Sequence, residues 1–204
     1  MGNRAVITTE ENFNNNGIGI YLHWNGGYDS VYPFLEYAKL RRLRSGGYGW
    51  ARLCQIIGNY FGGTLSIGVD RICKLDCDNG DNGIYLIDDN FNIVGRKYYE
   101  GMEQNIYPFK DMLLSIDKAQ PEDDRIEDYI NGIPINENTN LSIGDTIVFL
   151  DSLDSRCRTS KIYGFDKDGN AYINYFTKNN PMNNPNNYID INGNFRLLRS
   201  KILL

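Results

Sequence analysis

Histidine and cysteine are scarce in this sequence, and their scarcity limits the chemistry that it can support. The 204 residues include one histidine, His23, and four cysteines, Cys54, Cys73, Cys77 and Cys157. Only Cys73 and Cys77 are close together, and their C-x-x-x-C spacing differs from the C-x-x-C knuckle of structural zinc sites. We therefore expect free thiols in a reducing cytosol, no bound metal and no cofactor.

Long apolar runs and an excess of positive charge are also missing. No segment approaches the roughly 18 consecutive apolar residues of a membrane-spanning helix, and the opening MGNRAVITTEE lacks the apolar core of a signal peptide. Lysine and arginine total 21 against 26 acidic residues, so the net charge is -5 and the isoelectric point is about 4.9. General binding to nucleic acid requires basic residues that neutralise several phosphates. We expect a cytoplasmic protein that binds neither membranes nor bulk nucleic acid.

Two short acidic segments resemble calcium loops but lack the required spacing. An EF-hand needs a glycine at the sixth position and a glutamate at the twelfth. In the segment 76–83, DCDNGDNG, the glycine comes one position early, and in 166–170, DKDGN, strand-forming residues follow at once. Both segments are therefore predicted to be hairpin turns.

Hydrophobic periodicity predicts an α+β domain over residues 1–120. Apolar residues alternate in its strands and recur at helical spacing in its helices. The predicted order is ββααβββα, with an antiparallel sheet and the two long helices packed as a pair on one face. The predicted elements are strands at 4–9 and 17–24 joined by a polar turn, helices at 29–44 and 48–61, strands at 64–72, 84–88 and 92–99, and a helix at about 107–117.

The composition changes after this domain. The segment 121–134, PEDDRIEDYINGIP, is acidic and has no regular apolar period, so it is predicted to be a linker. Residues 135–204 contain short apolar runs separated by turn signals, including a run at 141–151 and two strands around an Asp-Gly-Asn turn within 161–176. This pattern predicts a small all-β domain, either SH3-like or a barrel.

The segment Leu22–Ser30, LHWNGGYDS, is the strongest candidate for a binding site. A strand ends here, two adjacent glycines allow a tight turn, and a helix follows that Asp29 or Ser30 can cap. Free N–H groups and the helix dipole attract anions to such an N-terminus. The alternative interpretation is a plain strand-to-helix turn with an exposed His23.

Basic and aromatic residues around the start of the second long helix can complete this site. The run from Lys39 to Arg44 could contact phosphate or could be a solvated helix end. Trp50 could stack on a base or belong to the core. The predicted ligand site consists of His23, Trp24, Asn25, Gly26, Gly27, Tyr48, Trp50 and Arg52.

A catalytic constellation is hard to assemble from these residues. Cys54 and His23 could form a nucleophile–base pair. However, Cys54 lies on a helix that is expected to pack on the sheet, which favours a buried and inert thiol. Ser30 with His23 has no better support, because helix capping already explains Ser30. We therefore predict a protein without catalytic residues.

Several motifs of the N-terminal half resemble a family of small proteins carried by bacteriophages, prophages and mobile elements of Gram-positive bacteria. The motifs are GNRAVIT at 2–8, IYLHWNGG at 20–27, YGWARLCQIIGNYFGGTLSIG at 48–68 and DNGDNGIYLI at 78–87. The resemblance covers about residues 2–120. It implies a role in counter-defence, which is frequent among phage accessory proteins of this size.

Three functions are compatible with these observations. The first is a non-enzymatic protein that sequesters a nucleotide-derived immune signal. The second is a direct inhibitor of a host defence protein, comparable to an anti-CRISPR protein. The third is a hydrolase of the nucleotide signal that depends on His23 or Cys54. For the binding functions we expect a homo-oligomer, because many such binders are symmetric assemblies.

Overall fold

The computed structural model shows two compact units, Met1–Pro121 and Glu122–Leu204. Each unit has its own sheet, and the α+β class predicted from the sequence is confirmed. No helix among the described residues is long and apolar enough to span a membrane. The described residues are 3–63, 66–99, 101, 103, 105–151, 155–173, 187–188 and 195–198.

The first unit contains a five-stranded sheet in the order β3-β2-β1-β4-β5. Its neighbouring strands are antiparallel, as predicted, except for β1 and β4, which form a parallel pair. The elements are β1 Ala5–Thr9, α1 Glu10–Asn14, β2 Ile18–Leu22, α2 Tyr28–Leu40, α3 Gly47–Phe61, β3 Ile67–Arg71, β4 Ile84–Ile87, β5 Ile93–Lys97 and α4 Phe109–Lys118.

Both faces of the sheet are covered in its centre. All four residues of β4 are buried, which explains why IYLI is continuously apolar rather than alternating. On one face, Val6, Ile84 and Leu86 form a cluster with Ile72. On the other face, the hydroxyl of Tyr85 donates to the carbonyl oxygen of Gly26, in the segment that leads into α2. The helices α2, α3 and α4 pack against one another on this side.

The helix boundaries differ from the sequence prediction at several positions, and α2, for example, ends at Leu40 rather than at residue 44. The predicted polar turn after β1 contains the short helix α1, because the Thr9 side chain accepts from Asn12 N at 3.1 Å and caps it. The helix α2 begins at Tyr28 with Gly27 as its N-cap, so neither Asp29 nor Ser30 has the predicted capping role. The carboxylate of Asp29 instead accepts hydrogen bonds from the backbone N–H groups of Ile106 and Tyr107.

The segment 76–83 does not form the predicted hairpin turn, because it connects β3 to β4 and these two strands are not neighbours in the sheet. The side chain of Arg4 binds to this segment instead. Arg4 Nε donates to Asp81 Oδ2 at 2.7 Å, and Arg4 Nη1 donates to Asp76 Oδ2 at 2.9 Å. A further guanidinium N–H donates to the carbonyl of Asn79. These bonds attach the residue before β1 to the turn that leads into β4, and so support the parallel pair.

We expect Arg4→Met to destabilise the protein in a pH-dependent manner. Burial disfavours the charged carboxylate of Asp81, but the hydrogen bonds and the charge of Arg4 outweigh it and hold the pKa of Asp81 below its usual value. A lowered pKa in the folded state stabilises the protein above the ordinary carboxyl pKa of about 4, and this stabilisation is lost as the pH falls through the lowered pKa. The difference in the free energy of unfolding between wild type and Arg4→Met, measured by urea denaturation, should therefore be largest near neutral pH and decrease in acid. The control is Lys74→Met, which removes an exposed cation nearby. An equally pH-dependent loss of stability in this variant would contradict the role assigned to the Arg4–Asp81 pair.

The second unit is built on a six-stranded sheet in the order β10-β9-β8-β7-β11-β6. Every pair in it is antiparallel, and its core includes Ile147, Phe149, Ile162 and Leu197. The elements are α5 Glu127–Asn131, β6 Ile133–Pro134, β7 Thr146–Leu150, β8 Cys157–Phe165, β9 Ala171–Ile173, β10 Asn187–Tyr188 and β11 Phe195–Leu198.

The acidic segment 121–134 is folded rather than extended as a linker. From Glu122 onward it belongs to the second unit and contains α5 and β6. Tyr129 and Ile130 are buried, and the guanidinium of Arg196 lies 4.2 Å from the centre of the Tyr129 ring. The large apolar side chains buried in this otherwise acidic run are Ile126, Tyr129 and Ile130, and the short helix packs onto β7 and β11.

The predicted hairpin turn at 166–170 is present, and its stability comes from one carboxylate. Asp166 accepts hydrogen bonds from the backbone N–H groups of Asp168 and Asn170 and from the Asn170 side chain. The bond from the Asn170 side chain is the main reason why the pKa of Asp166 lies below its usual value. Asp88 and Asn92 repeat this arrangement between β4 and β5, so the two turns share the same hydrogen bonds from an asparagine to an aspartate.

Candidate functional site

The only histidine of the chain lies on the surface directly after β2. His23 and Trp24 are exposed, and their rings meet edge to face at 4.9 Å. Nδ1 of His23 is 3.1 Å from the Tyr21 hydroxyl, and its backbone N–H donates to Ser66 O at 2.8 Å. Local neighbours therefore account for the position of His23.

Gly26, the first glycine of LHWNGG, lies where two segments of backbone pass close to each other. Gly26 is buried, its N–H donates to Asn3 O at 2.8 Å, and its carbonyl accepts from the Tyr85 hydroxyl at 2.9 Å. A Cβ atom at Gly26 would lie 2.6 Å from the carbonyl carbon of Arg4 and 2.7 Å from Ala5 N. Only glycine fits where the chain before α2 passes this close to the start of β1.

The N-terminus of α2, where an anion was predicted to bind, already carries a carboxylate of the chain. Asp29 lies in the first turn and is 7% exposed. Its Oδ2 accepts from the backbone N–H groups of Ile106 at 2.8 Å and Tyr107 at 3.2 Å. The negative charge suits the helix dipole, and it repels a phosphate that approaches the same helix end.

The residues predicted on α3 do not join the LHWNGG segment in one pocket. Burial raises the pKa of Tyr60, in the last turn of α3, and the nearby side chain of Asn25 partly opposes this shift, so this end of the helix lies beside the LHWNGG segment. Tyr48 lies twelve residues earlier in the same helix, which corresponds to about 18 Å along its axis at 1.5 Å per residue. At that end, Gly49 packs near the ring of Phe91 in the turn after β4, at the opposite end of the sheet.

The predicted residues at this far end of α3 are on its outer side. Tyr48 is 76% exposed, Arg52 is exposed and Trp50 is half-buried. The eight residues of the predicted ligand site thus divide into two groups, one at each end of the sheet. Helical periodicity correctly predicted that Trp50 lies on a helix. It could not show which end of α3 lies beside the LHWNGG segment.

The catalytic alternatives gain no geometric support. Burial raises the pKa of the Cys54 thiol, which lowers the fraction of reactive thiolate. The Ser30 hydroxyl is engaged by Asn25 Nδ2 at 3.2 Å. The four cysteines are thiols that form no disulfide with one another. The part of the chain that the structure describes contains no group of three or more His, Cys, Asp or Glu side chains that could hold a metal ion.

A groove of about 410 Å³ opens beside the N-terminus of α2, between its first turns and the segment that leads into α4. This volume falls in the usual range of small-ligand and side-chain pockets. The groove was not identified from the sequence. We call it the aromatic groove; its main lining residues are Tyr28, Asp29, Tyr32, Ile106, Tyr107 and Phe109.

Ring contacts order the walls of the aromatic groove. Tyr28 and Tyr32 stack almost in parallel, with centroids 5.2 Å apart, and the ring of Phe109 is 5.4 Å from that of Tyr32. Ile106, at 71% exposure, and Tyr107, at 46%, still present large apolar surfaces to solvent. An exposed and ordered apolar surface of this kind is typical of a binding site.

The charge around the aromatic groove is negative. Asp29 is the only charged residue among the described residues that line it, and the nearby Glu36 and Glu103 are paired with Lys39 and Arg96. Burial, followed by the charge of Glu36, raises the pKa of the Tyr32 hydroxyl, so this tyrosine stays neutral. The groove is therefore suited to apolar or cationic groups and unsuited to phosphates.

One signal for the groove was available in the sequence. Tyr28 and Tyr32 are four residues apart and therefore share one face of α2, while Tyr107 and Phe109 flank a proline. The predicted helix from 107 begins instead at Phe109, after Pro108. The segment before it is thereby free to lie against α2, held by the carboxylate of Asp29.

The chain matches no protein-family model, and comparison with curated proteins and with solved structures finds no similar chain.

Proposed function

We propose that this protein is a non-catalytic binding protein that inhibits a bacterial defence system, and that the aromatic groove contacts a host defence protein. The observation that carries the proposal is the ordered row of aromatic side chains around Tyr32, in which Tyr28 and Tyr32 are half-buried and Phe109 is exposed. Aromatic residues are enriched at protein–protein interfaces, and tyrosine is among the residue types that most often dominate the binding energy. The resemblance of residues 2–120 to phage-encoded proteins supports counter-defence in the cytoplasm of the infected cell.

Sequestration of a nucleotide-derived signal is the second candidate. Tyrosine rings can stack on a nucleobase, and this property of Tyr28 and Tyr32 favours it. The phosphates of such a signal would meet Asp29 rather than a lysine or arginine among the described lining residues. A partner protein therefore fits the electrostatics of the groove better than a phosphorylated ligand.

A homo-oligomer is part of this proposal. In the described sheet of the first unit, β3 and β5 each pair on one side only, and they expose Val69 and Val94. Two copies can extend a sheet through such an edge. Light scattering of the purified full chain gives the mass directly; a monomeric mass at high concentration would remove this part of the proposal.

The function is tested by expressing the full chain in bacteria that carry individual defence systems and then challenging them with phage. We expect wild type to restore plaque formation against at least one system. Tyr32→Leu should lose this activity, because truncating a central interface aromatic weakens binding by about 30-fold, or roughly 2 kcal/mol. Tyr48→Leu, which removes an exposed tyrosine far from the groove, is the matched control and should behave as wild type.

Each outcome has a distinct meaning. Inhibition by Tyr32→Leu at the wild-type level would remove the groove from the mechanism. Failure to restore plaques against any system would refute inhibition of defence. Native mass spectrometry of the same preparation separates the two candidates, because a stoichiometric nucleotide-sized adduct would favour the sequestered signal over a protein partner.

A further inference from the structure

The aromatic groove combines aromatic rings with a buried carboxylate. Asp29 lines the groove with Tyr28, Tyr32 and Tyr107, and at 7% exposure its charge is poorly hydrated. Two backbone N–H groups bind one of its oxygens, but they do not cancel its charge. The faces of tyrosine and phenylalanine rings carry negative electrostatic potential. Both features attract a cation that also has an apolar surface.

The same region of the chain already binds a guanidinium group in this way. Arg96 lies between two rings, with its central carbon 3.6 Å from the centroid of Tyr85 and 4.0 Å from that of Tyr99. Glu103 completes that site with an ion pair of 2.8 Å. Two aromatic rings and one carboxylate, together with the Asn82 carbonyl that accepts from Arg96 Nη2, hold an arginine side chain in this protein.

We propose that the aromatic groove binds an arginine side chain of the partner protein. The planar guanidinium lies against the rings of Tyr32 and its aromatic neighbours, and its charge is compensated by Asp29. Arginine fits better than lysine because its guanidinium is planar and more weakly hydrated, so it loses less hydration when it stacks on a ring. This inference rests on the proposed function only in taking the groove as the contact surface.

The test is an NMR titration of the ¹⁵N-labelled full chain with the blocked tripeptide acetyl-Gly-Arg-Gly-amide. The amides of Ile106 and Tyr107 are the reporters, because both donate to Asp29. We expect their signals to shift in a saturable manner. The citrulline tripeptide, which has the same shape without the charge, should bind at least about fivefold more weakly. The glutamate tripeptide should produce no saturable shift at these amides.

Two variants make the titration specific to the groove. Tyr32→Leu and Phe109→Leu should each reduce the affinity for the arginine tripeptide, while Tyr48→Leu should leave it unchanged. The ¹⁵N spectrum reports directly whether each variant is folded. Equal affinity for arginine and citrulline, or shifts that persist in both folded groove variants, would overturn the inference. That result would leave the plaque assay unaffected, so failure of the cation site and failure of the defence function are distinguishable.

Discussion

Replacing Gly26 with alanine is expected to lower the free energy of unfolding by about 3 kcal/mol, the upper part of the range for overpacked interiors. The added methyl group would lie within 2.7 Å of Arg4 and Ala5 backbone atoms and of the Asn3 carbonyl oxygen. Backbone atoms cannot move aside as the end of a flexible side chain can. The crossing before α2 would have to open, which weakens the hydrogen bonds that Gly26 makes to Asn3 and Tyr85.

Gly58→Ala provides the control for this prediction. Gly58 lies inside α3, and a Cβ atom there meets nothing within 4 Å. Alanine should therefore stabilise the helix, by about 0.5–1 kcal/mol. Urea denaturation of both variants gives the two changes side by side. If Gly26→Ala left the free energy of unfolding unchanged, this result would contradict the structural role assigned to Gly26. The LHWNGG segment would then again be a candidate ligand site.

Asp29→Ala is expected to cost about 3 kcal/mol and to remove the aromatic groove. The substitution leaves the N–H groups of Ile106 and Tyr107 without their buried acceptor, and hydrogen bonds to a charged group contribute about 1.5–3 kcal/mol each. The segment before α4 should then separate from α2. Urea denaturation measures the cost, and amide hydrogen exchange at Ile106 and Tyr107 should accelerate sharply.

Two comparisons make this prediction specific. Asp29→Asn keeps an oxygen acceptor, so its free energy of unfolding should lie between those of Asp29→Ala and wild type. Asp89→Ala removes an exposed carboxylate in the turn after β4 and should change stability by no more than about 0.5 kcal/mol. Slow exchange at both amides in a folded Asp29→Ala variant would show that the segment is held by packing alone.

The order of strands and helices could be predicted because each element has its own local pattern. Alternation revealed β1 and β2 as a hairpin, and helical spacing revealed α2 and α3. The parallel contact of β1 with β4 could not be predicted in this way, because the residues that enforce it lie far apart in sequence. Arg4 and Asp81 illustrate this, since neither residue alone indicates that they form an ion pair.

The predicted site shows a related limit of sequence reasoning. The features of LHWNGG were interpreted as chemistry, yet Gly26 is fixed by a close approach to Arg4 and Ala5 that only the folded chain creates. Asp29 was interpreted as a cap, and its actual partners are about 77 residues away. The tyrosine pair on α2 was visible in the sequence, but its meaning depends on Phe109 packing beside it.

The most direct test compares defence inhibition by two variants of the full chain, Tyr32→Leu in the aromatic groove and His23→Ala in the LHWNGG segment, at matched expression. The proposed role of the groove predicts that Tyr32→Leu loses inhibition. His23→Ala should retain it, because His23 lies outside the groove and its ring contacts Tyr21 and Trp24. The reverse result, with inhibition lost in His23→Ala and kept in Tyr32→Leu, would place the binding site at LHWNGG and contradict the assignment of the groove.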